Sequence, residues 1–435
     1  MKTTIQLVDQ TTVKLSVEVP FEDLAPAIES AYRKVAKEVR IPGFRKGHVP
    51  PAILDARVGR MYVLGEAVEE AVPAFFLEAV REKKLEPVGR PKFELGEVAD
   101  GEPLKFDATV EVKPEIDLPE YAGLEVEAPD ATVSDGEVDE QLGRLRDAFA
   151  QLEVISRPLA EGDYAQIDIR GYRNAEQAED INAPDYLYEV GSGQIVPELD
   201  AELAGKRKGD ILKFNATLPE TAGGPLAGQE ITFHVLVKEA KAKALPDLDD
   251  EFAKQSSEFE TLVELREEIR SRVGMMKQAE ATAAVRGKVL DALLERAQVP
   301  LPEAMVLSEL RFRADRLGDR LQRLGMPFEA YLERAQTTHE KIQDDLRSQA
   351  EYSVKAQLVL DVVAKTESIE VTDQDMDAEL ERQASRSGGR TAADLRASLA
   401  KAGGIGILQA DIIRTKALDL LVERANVKEP EGQKT

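Results

Sequence analysis

The residues best placed to do chemistry are cations. Positions 33–60 hold Arg33, Lys34, Lys37, Arg40, Arg45, Lys46, Arg57 and Arg60 against only Glu38 and Asp55, a local balance of +6. The whole chain of 435 residues carries −25. A stretch drawn at random from so acidic a chain would be negative, so this one points to a polyanion or an acidic protein surface as its partner. Its centre reads Ile41-Pro42-Gly43-Phe44-Arg45-Lys46-Gly47-His48-Val49-Pro50-Pro51. Pro42 pushes Ile41 away from helical geometry and ends the preceding helix. Gly43 and Gly47 permit tight or positive-φ turns, and Pro50 with Pro51 restarts a helix. The expected product is an anchored loop with Phe44, Arg45 and Lys46 at its tip and Gly43, Gly47 and Pro50 as hinges. An aromatic ring beside two cations can enter a groove while the cations meet phosphates or carboxylates. The competing reading folds Phe44 inward and leaves Arg45 and Lys46 merely solvated.

Composition excludes most other chemistries. The chain has no Cys, which removes disulfides, thiolate nucleophiles and Cys-based metal sites. His48, His234 and His339 are too scattered for a local metal pair, and His339-Glu340 lacks a second His four residues on. No Gly-Lys-Ser/Thr occurs, so there is no phosphate cradle of the Walker type. Gly191-Ser192-Gly193 and Gly404-Ile405-Gly406 never extend to GxGxxG and read as turns. Neither metal nor cofactor is therefore expected. No window approaches the roughly 18 apolar residues of a membrane span. Met1–Asp9 is polar and alternating where an export segment would be apolar. The expectation is a cytoplasmic protein with no membrane partner.

At about 100–200 residues per domain, the length predicts two to four domains. Residues 1–112 read as a small α+β unit. Val13, Leu15, Val17 and Val19 alternate with polar neighbours, as do Leu104, Phe106, Ala108, Val110 and Val112, the period of half-buried strands. Between them Leu24, Ile28, Ala31, Val35 and Val39 mark one face of a helix. A second helix is expected from Pro51 towards Leu85, interrupted at Pro73. Residues 113–154 form a connector with Pro114, Pro119 and Pro129, followed by a helix from about Ser134. Residues 155–243 are β-rich, with alternating strands around Ala165–Ile169, Phe214–Leu218 and Ile231–Val237. On the last of these His234 falls on the solvent-facing parity. Residues 244–435 read as helical, with breaks such as Val299-Pro300-Leu301-Pro302 and a last helix over about 409–425. The tail after Val427 is expected to be disordered.

Gly43-Phe44-Arg45-Lys46-Gly47 followed by Pro50 resembles the ribosome-contacting loop of bacterial trigger factor, a family of ribosome-associated folding chaperones. Leu245-Pro246-Asp247-Leu248-Asp249-Asp250-Glu251-Phe252 is similar to that family's junction between isomerase and helical parts. The resemblance spans the chain and implies a multidomain α+β fold: an N-terminal α+β ribosome-binding domain, an FKBP-like β-rich domain and an all-helical C-terminal chaperone domain. It implies docking at the large ribosomal subunit through Phe44, Arg45 and Lys46, against the tunnel-exit protein and adjacent rRNA. Unfolded nascent polypeptides would be the clients, with a homodimer off the ribosome. Without an ATP motif, release would come from client folding or from dissociation.

Ile167-Asp168-Ile169-Arg170-Gly171 and Gly191-Ser192-Gly193-Gln194-Ile195-Val196-Pro197 resemble an FKBP-type prolyl isomerase. The resemblance implies a pocket of Ile195, Val196, Leu199 and Phe233, with Tyr186 and Tyr188 to one side. Such a site needs no nucleophile. It lowers the barrier of about 18–20 kcal/mol by holding the twisted imide better than the planar one. Three aromatic positions of the pattern are here Ala178, Leu199 and Ala222, which predicts weakened turnover. Three rival readings remain at this stage. One is a ribosome- or RNA-binding factor whose FKBP-like module and helices are only structural; the others are a periplasmic chaperone-isomerase and a free FKBP enzyme with inert appendages.

Overall fold

The computed structural model describes residues 1–42, 44–173, 176–219, 226, 228–386 and 389–428. It divides into two compact units, one of residues 1–129 and 282–435 and one of residues 130–281. Among the described residues, no helix is long and apolar enough to cross a membrane.

The first unit opens with β1 (Lys2–Leu7), β2 (Thr12–Val19), α1 (Ala25–Glu38), α2 (Pro51–Val58), α3 (Arg60–Glu82), β3 (Pro87–Leu95) and β4 (Leu104–Val112). The four strands pair antiparallel in the order β1-β2-β4-β3. The alternating residues of β2 and β4 point to one face, where Ile28 and Ala31 of α1 and Val63, Ala67, Val68 and Phe76 of α3 complete a core. Phe93 sits edge-on between Phe76 and Phe106, at 5.5 and 6.2 Å between ring centroids. The helical stretch after Pro51 is interrupted at Gly59 instead of Pro73. Gly59 takes φ +92°, a conformation glycine alone adopts cheaply. Pro73 lies inside α3 on its exposed face, beside exposed Glu69, so the carbonyl that loses its N–H partner is open to solvent.

The second unit starts with α4 (Asp135–Ala148), then β6 (Gln151–Val154), β7 (Tyr164–Arg173), β8 (Glu176–Glu189), α5 (Pro197–Leu203), β9 (Ile211–Thr217), β10 (Glu230–Ala244), α6 (Asp250–Ser256) and the first turns of α7 (Leu262–Arg296). Its sheet has five strands in the order β6-β10-β7-β8, with β9 also paired to β10. Residues 176–178 are strand, held by pairing of Gly171, Tyr172 and Arg173 with Ala178, Gln177 and Glu176. His234 is half-buried, its ring 4.5 Å from that of Tyr172.

Ser134 caps α4. Its hydroxyl accepts from the Glu137 N–H at 3.3 Å, and the Glu137 carboxylate accepts from the Ser134 N–H at 2.8 Å. Lys277 adds an ion pair at 2.8 Å. Lys277 first, then Ser134, hold the Glu137 carboxyl down to about 2 from an ordinary 4.5. A depressed acid contributes stability above its unfolded pKa, and that contribution is lost as pH falls through the folded value. Glu137→Gln is therefore expected to flatten the fall in urea midpoint of this unit between pH 4.5 and 2. An unchanged slope would assign the acid sensitivity elsewhere.

The rest of the first unit is helical: the end of α7, α8 (Glu303–Arg323), α9 (Phe328–Arg334), α10 (His339–Thr366), α11 (Asp373–Arg386), α12 (Ala392–Ala402) and α13 (Ile405–Arg424). The proline-marked connector does more than link. Leu124 is fully buried among Val289 and Leu293 of α7, Val359 and Val363 of α10 and Leu421 of α13. Beside it β5 (Glu125–Glu127) pairs in parallel with β11 (Asn426–Lys428). Lys428 is thus strand, and the remainder of the expected disordered tail lies outside the described residues. The start of α8 lies against β3. The Ala304 N–H donates to Glu111 at 2.9 Å, and a Cβ built on Gly89 would stand 2.7 Å from that of Ala304. Gly89 also has φ +76°. Gly89→Ala is expected to cost about 2 kcal/mol or more from clash and backbone strain together. Urea unfolding of the full chain reads this as a lower midpoint; an unchanged midpoint would mean the strand and helix part easily.

Candidate functional site

The cationic loop is built on its own small core. Val35 and Ala36 of α1 and Leu54 of α2 bury Ile41 and Val49, with Tyr32, Val39 and Val58 at the margin. Ile41 and Val49 thus act as two apolar anchors, and residues 42–48 are the arc between them. The Gly47 N–H donates to the Ala36 carbonyl at 2.9 Å, tying the arc to α1 at a residue with φ +85°. Phe44 N–H donates to Ile41 O at 3.2 Å and His48 N–H to Arg45 O at 2.9 Å, so the tip is a pair of tight turns. Pro50 caps α2 as the residue before its first turn, its carbonyl accepting from Ile53 N–H at 3.0 Å. Gly43 lies outside the described residues. At the tip Phe44 is 42% exposed, and Arg45 and Lys46 are exposed. The inward-folded alternative is not the observed conformation.

The eight cations of the stretch divide into two sets. Arg33 pairs with Glu29 at 2.5 Å, Lys34 with Glu66 at 2.6 Å and Arg60 with Asp100 at 3.0 Å. Lys37, Arg40, Arg45, Lys46 and Arg57 are exposed and, among the described residues, have no ion-pair partner. An unpaired cation keeps its full attraction for an incoming anion. The paired set has a structural use. Tyr32 donates to Asp55 at 2.6 Å and accepts from Arg60 at 2.5 Å, bracing α1, α2 and α3 behind the loop. Burial first, then the Asp55 carboxylate, pushes the Tyr32 phenol up. Sequence reasoning named these cations together without separating them. It also passed over Ile41 and Val49 as anchors, although two apolar residues flanking a polar arc were the available signal.

Ile195, Val196, Leu199 and Phe233 come together in the apolar cluster of the second unit, with Tyr186 and Tyr188. Their exposure differs. Val196, Leu199 and Phe233 are fully buried; Ile195 and Tyr186 are half-buried. Phe233 on β10 stacks on Phe214 of β9 at 5.4 Å and 17°. Leu199 lies on α5, and Val196 is the residue that precedes its first turn. Three of the four side chains are therefore core in this conformation. Only Ile195, beside Tyr186, offers surface to a substrate. Ala178 is half-buried on β8, and Ala222 lies outside the described residues.

An organising group that motif reading missed is Asp200. Its carboxylate accepts from Tyr188 Oη at 2.8 Å, Gly191 N at 2.7 Å and Gly193 N at 3.0 Å, fixing the turn that leads into Ile195. Burial pushes the Tyr188 phenol up to about 12. Asp163, unlike the half-buried Asp200, is a buried acid. Arg157 and the Ala160 N–H hold its carboxyl below the usual range while burial opposes them.

Comparison with known proteins points one way. A model of bacterial trigger factor protein matches residues 1–145, and a model of the bacterial trigger factor C-terminus matches residues 261–423. The trigger factor of Parafrankia sp. is 39% identical over 432 residues, covering 99% of this chain and 84% of the relative. That of Frankia casuarinae is 40% identical over 433 residues, covering 99% and 89%. That of Salinispora arenicola is 39% identical over 433 residues, covering 100% and 96%. A solved structure of the trigger factor chaperone, studied for promiscuous substrate recognition in folding and assembly, matches with a TM-score of 0.57 at 24% identity. The match covers 97% of this chain and 99% of that one, a likeness of fold.

Proposed function

Because this chain belongs to the trigger factor family of ribosome-associated chaperones, we propose that its 42–48 arc is the docking element. Phe44, Arg45 and Lys46 would engage the protein beside the nascent-chain exit of the large ribosomal subunit and the rRNA next to it. The observation that carries this reading is the outward Phe44 beside two cations with no ion-pair partner among the described residues, in a chain of net −25. Residues 1–112 would serve ribosome binding, 113–154 would link, 155–243 would form the FKBP-like module and 244–435 the client-holding helices. Leu307, Phe312 and Leu324 stand exposed on and just after α8, the kind of dispersed apolar surface that weak, exchanging client contacts need. The chaperone acts without ATP, in the cytoplasm, and dimerises off the ribosome.

The family includes an FKBP-like isomerase module, and we infer low turnover for the one in this chain. Its candidate wall reduces to Ile195 and Tyr186, and an apolar site with little aromatic surface desolvates a prolyl imide poorly. Docking is tested by co-sedimentation of the full chain with ribosomes at about 50 and 200 mM salt. Binding is expected to weaken strongly at the higher concentration, since it rests on cations meeting phosphates and carboxylates. Salt-independent binding would sink the ionic reading.

A further inference from the structure

A second cationic feature lies on the second unit, on the face of the sheet opposite its core. In register, His234 of β10 faces Arg170 of β7 on one side and Lys213 of β9 on the other. All three share the outward parity, since their neighbours Phe233, Ile169 and Leu212 are buried. Strands lie about 4.8 Å apart, so Arg170 and Lys213 flank the imidazole at roughly one strand spacing each. Arg170 and Lys213 are thus held about two strand spacings apart, with the imidazole between them. Arg170 and Lys213 are exposed and, among the described residues, neither has an ion-pair partner.

The adjoining row adds rings and polar groups. Tyr172 faces Thr232, which faces Asn215. The Tyr172 ring lies 4.5 Å from that of His234 at 41°, and the Thr232 hydroxyl donates to the Asn215 side-chain oxygen at 2.8 Å. On the other side the row is Asp168, Leu236 and Ile211. Asp168 is already committed, to Lys238 at 3.5 Å and to the Asp185 N–H at 2.8 Å, and Ile211 is 76% exposed.

We propose that this outer face of β9, β10 and β7 binds single-stranded RNA. Two free cations would meet phosphates, and the Tyr172–His234 pair would receive an unstacked base. Basic groups beside aromatic side chains are the combination that holds single strands with little sequence preference. Carboxylates of an acidic polypeptide would use the cations but not the rings, which is why RNA is favoured. The face lies on strands far in sequence from the 42–48 arc and does not depend on the docking assigned to that arc.

The test uses the full chain with Phe44, Arg45 and Lys46 replaced by Ala, so that the arc contributes nothing. Fluorescence anisotropy against a labelled oligouridylate is expected to show binding. Arg170→Glu with Lys213→Glu should weaken it at least about tenfold, and Tyr172→Ala severalfold. The swap Arg170→Lys with Lys213→Arg should preserve binding, which guards against a misfolded variant. Removing both cations to Ala should lower the slope of log K against log salt by about 1.4, at roughly 0.7 per phosphate on a single strand. Absence of binding by the starting protein, or affinity unchanged in the double Glu variant, would overturn the proposal. Equal binding and displacement by polyglutamate would overturn it in favour of an acidic polypeptide.

Discussion

Replacing Phe44, Arg45 and Lys46 together by Ala is expected to lower affinity for ribosomes about 100-fold and to leave suppression of client aggregation intact. The size follows from the parts. A well-seated aromatic anchor carries about 2 kcal/mol or more at an interface, and two charge contacts add to it, so a loss near 3 kcal/mol is about 100-fold in Kd. Stability should hardly move, because all three side chains are exposed and the arc is fixed by Ile41, Val49 and the Gly47–Ala36 hydrogen bond. Arg33→Ala is the matched control. It removes a cation already satisfied by Glu29 and should change ribosome affinity little. Sedimentation with ribosomes and light scattering of an aggregating client, run on the same preparations, separate the two activities. Full sedimentation of the triple variant would show that docking lies elsewhere.

The second large effect concerns what Phe233 is for. Phe233→Ala is expected to destabilise the second unit by about 3–5 kcal/mol, the cost of emptying a fully buried aromatic site. The stack on Phe214 goes with it. Ile195→Ala, at a half-buried position, should cost about 1 kcal/mol while removing most of the apolar surface a prolyl substrate could touch. Urea unfolding and a proline-limited refolding assay on the full chain distinguish the roles. If Phe233→Ala left the unfolding midpoint unchanged and abolished isomerisation, Phe233 would be a pocket wall and the core assignment would fail.

The contrast between these residues also marks what could be read before any coordinates. Strands with strict alternation, such as Val13–Val19 and Leu104–Val112, announce their buried face because the period of side chains in a strand is two. The tip of the arc was equally legible, since glycine and proline restrict the backbone locally and the charge contrast is a matter of counting. What stayed hidden depends on distant partners. β8 carries Pro184 and a run of acids and is strand through its pairing with β7. β5 and β11 have three residues each and no periodicity to show. The break at Gly59 instead of Pro73 turned on which face of α3 met solvent. The four residues named by the resemblance to an isomerase pocket, Ile195, Val196, Leu199 and Phe233, lie in one apolar cluster. Whether each side chain is wall or core is set by what packs behind it, and no motif encodes that.

The pairing of β5 with β11 bears on how this molecule comes into being. Glu125 and Lys428, an ion pair across that ribbon at 2.8 Å, are 303 positions apart, with the whole of the second unit between them. That unit is an uninterrupted stretch of chain and has every strand of its sheet at hand once it is made. The connector of the flanking unit does not have its partners then, because the helices around Leu124 and the strand β11 arrive only after the insert. Vectorial synthesis therefore completes the insert while the connector around Leu124 still waits, unclad, for its late-made cover. A protein of this design passes through the same exposed condition in which a nascent client would reach it.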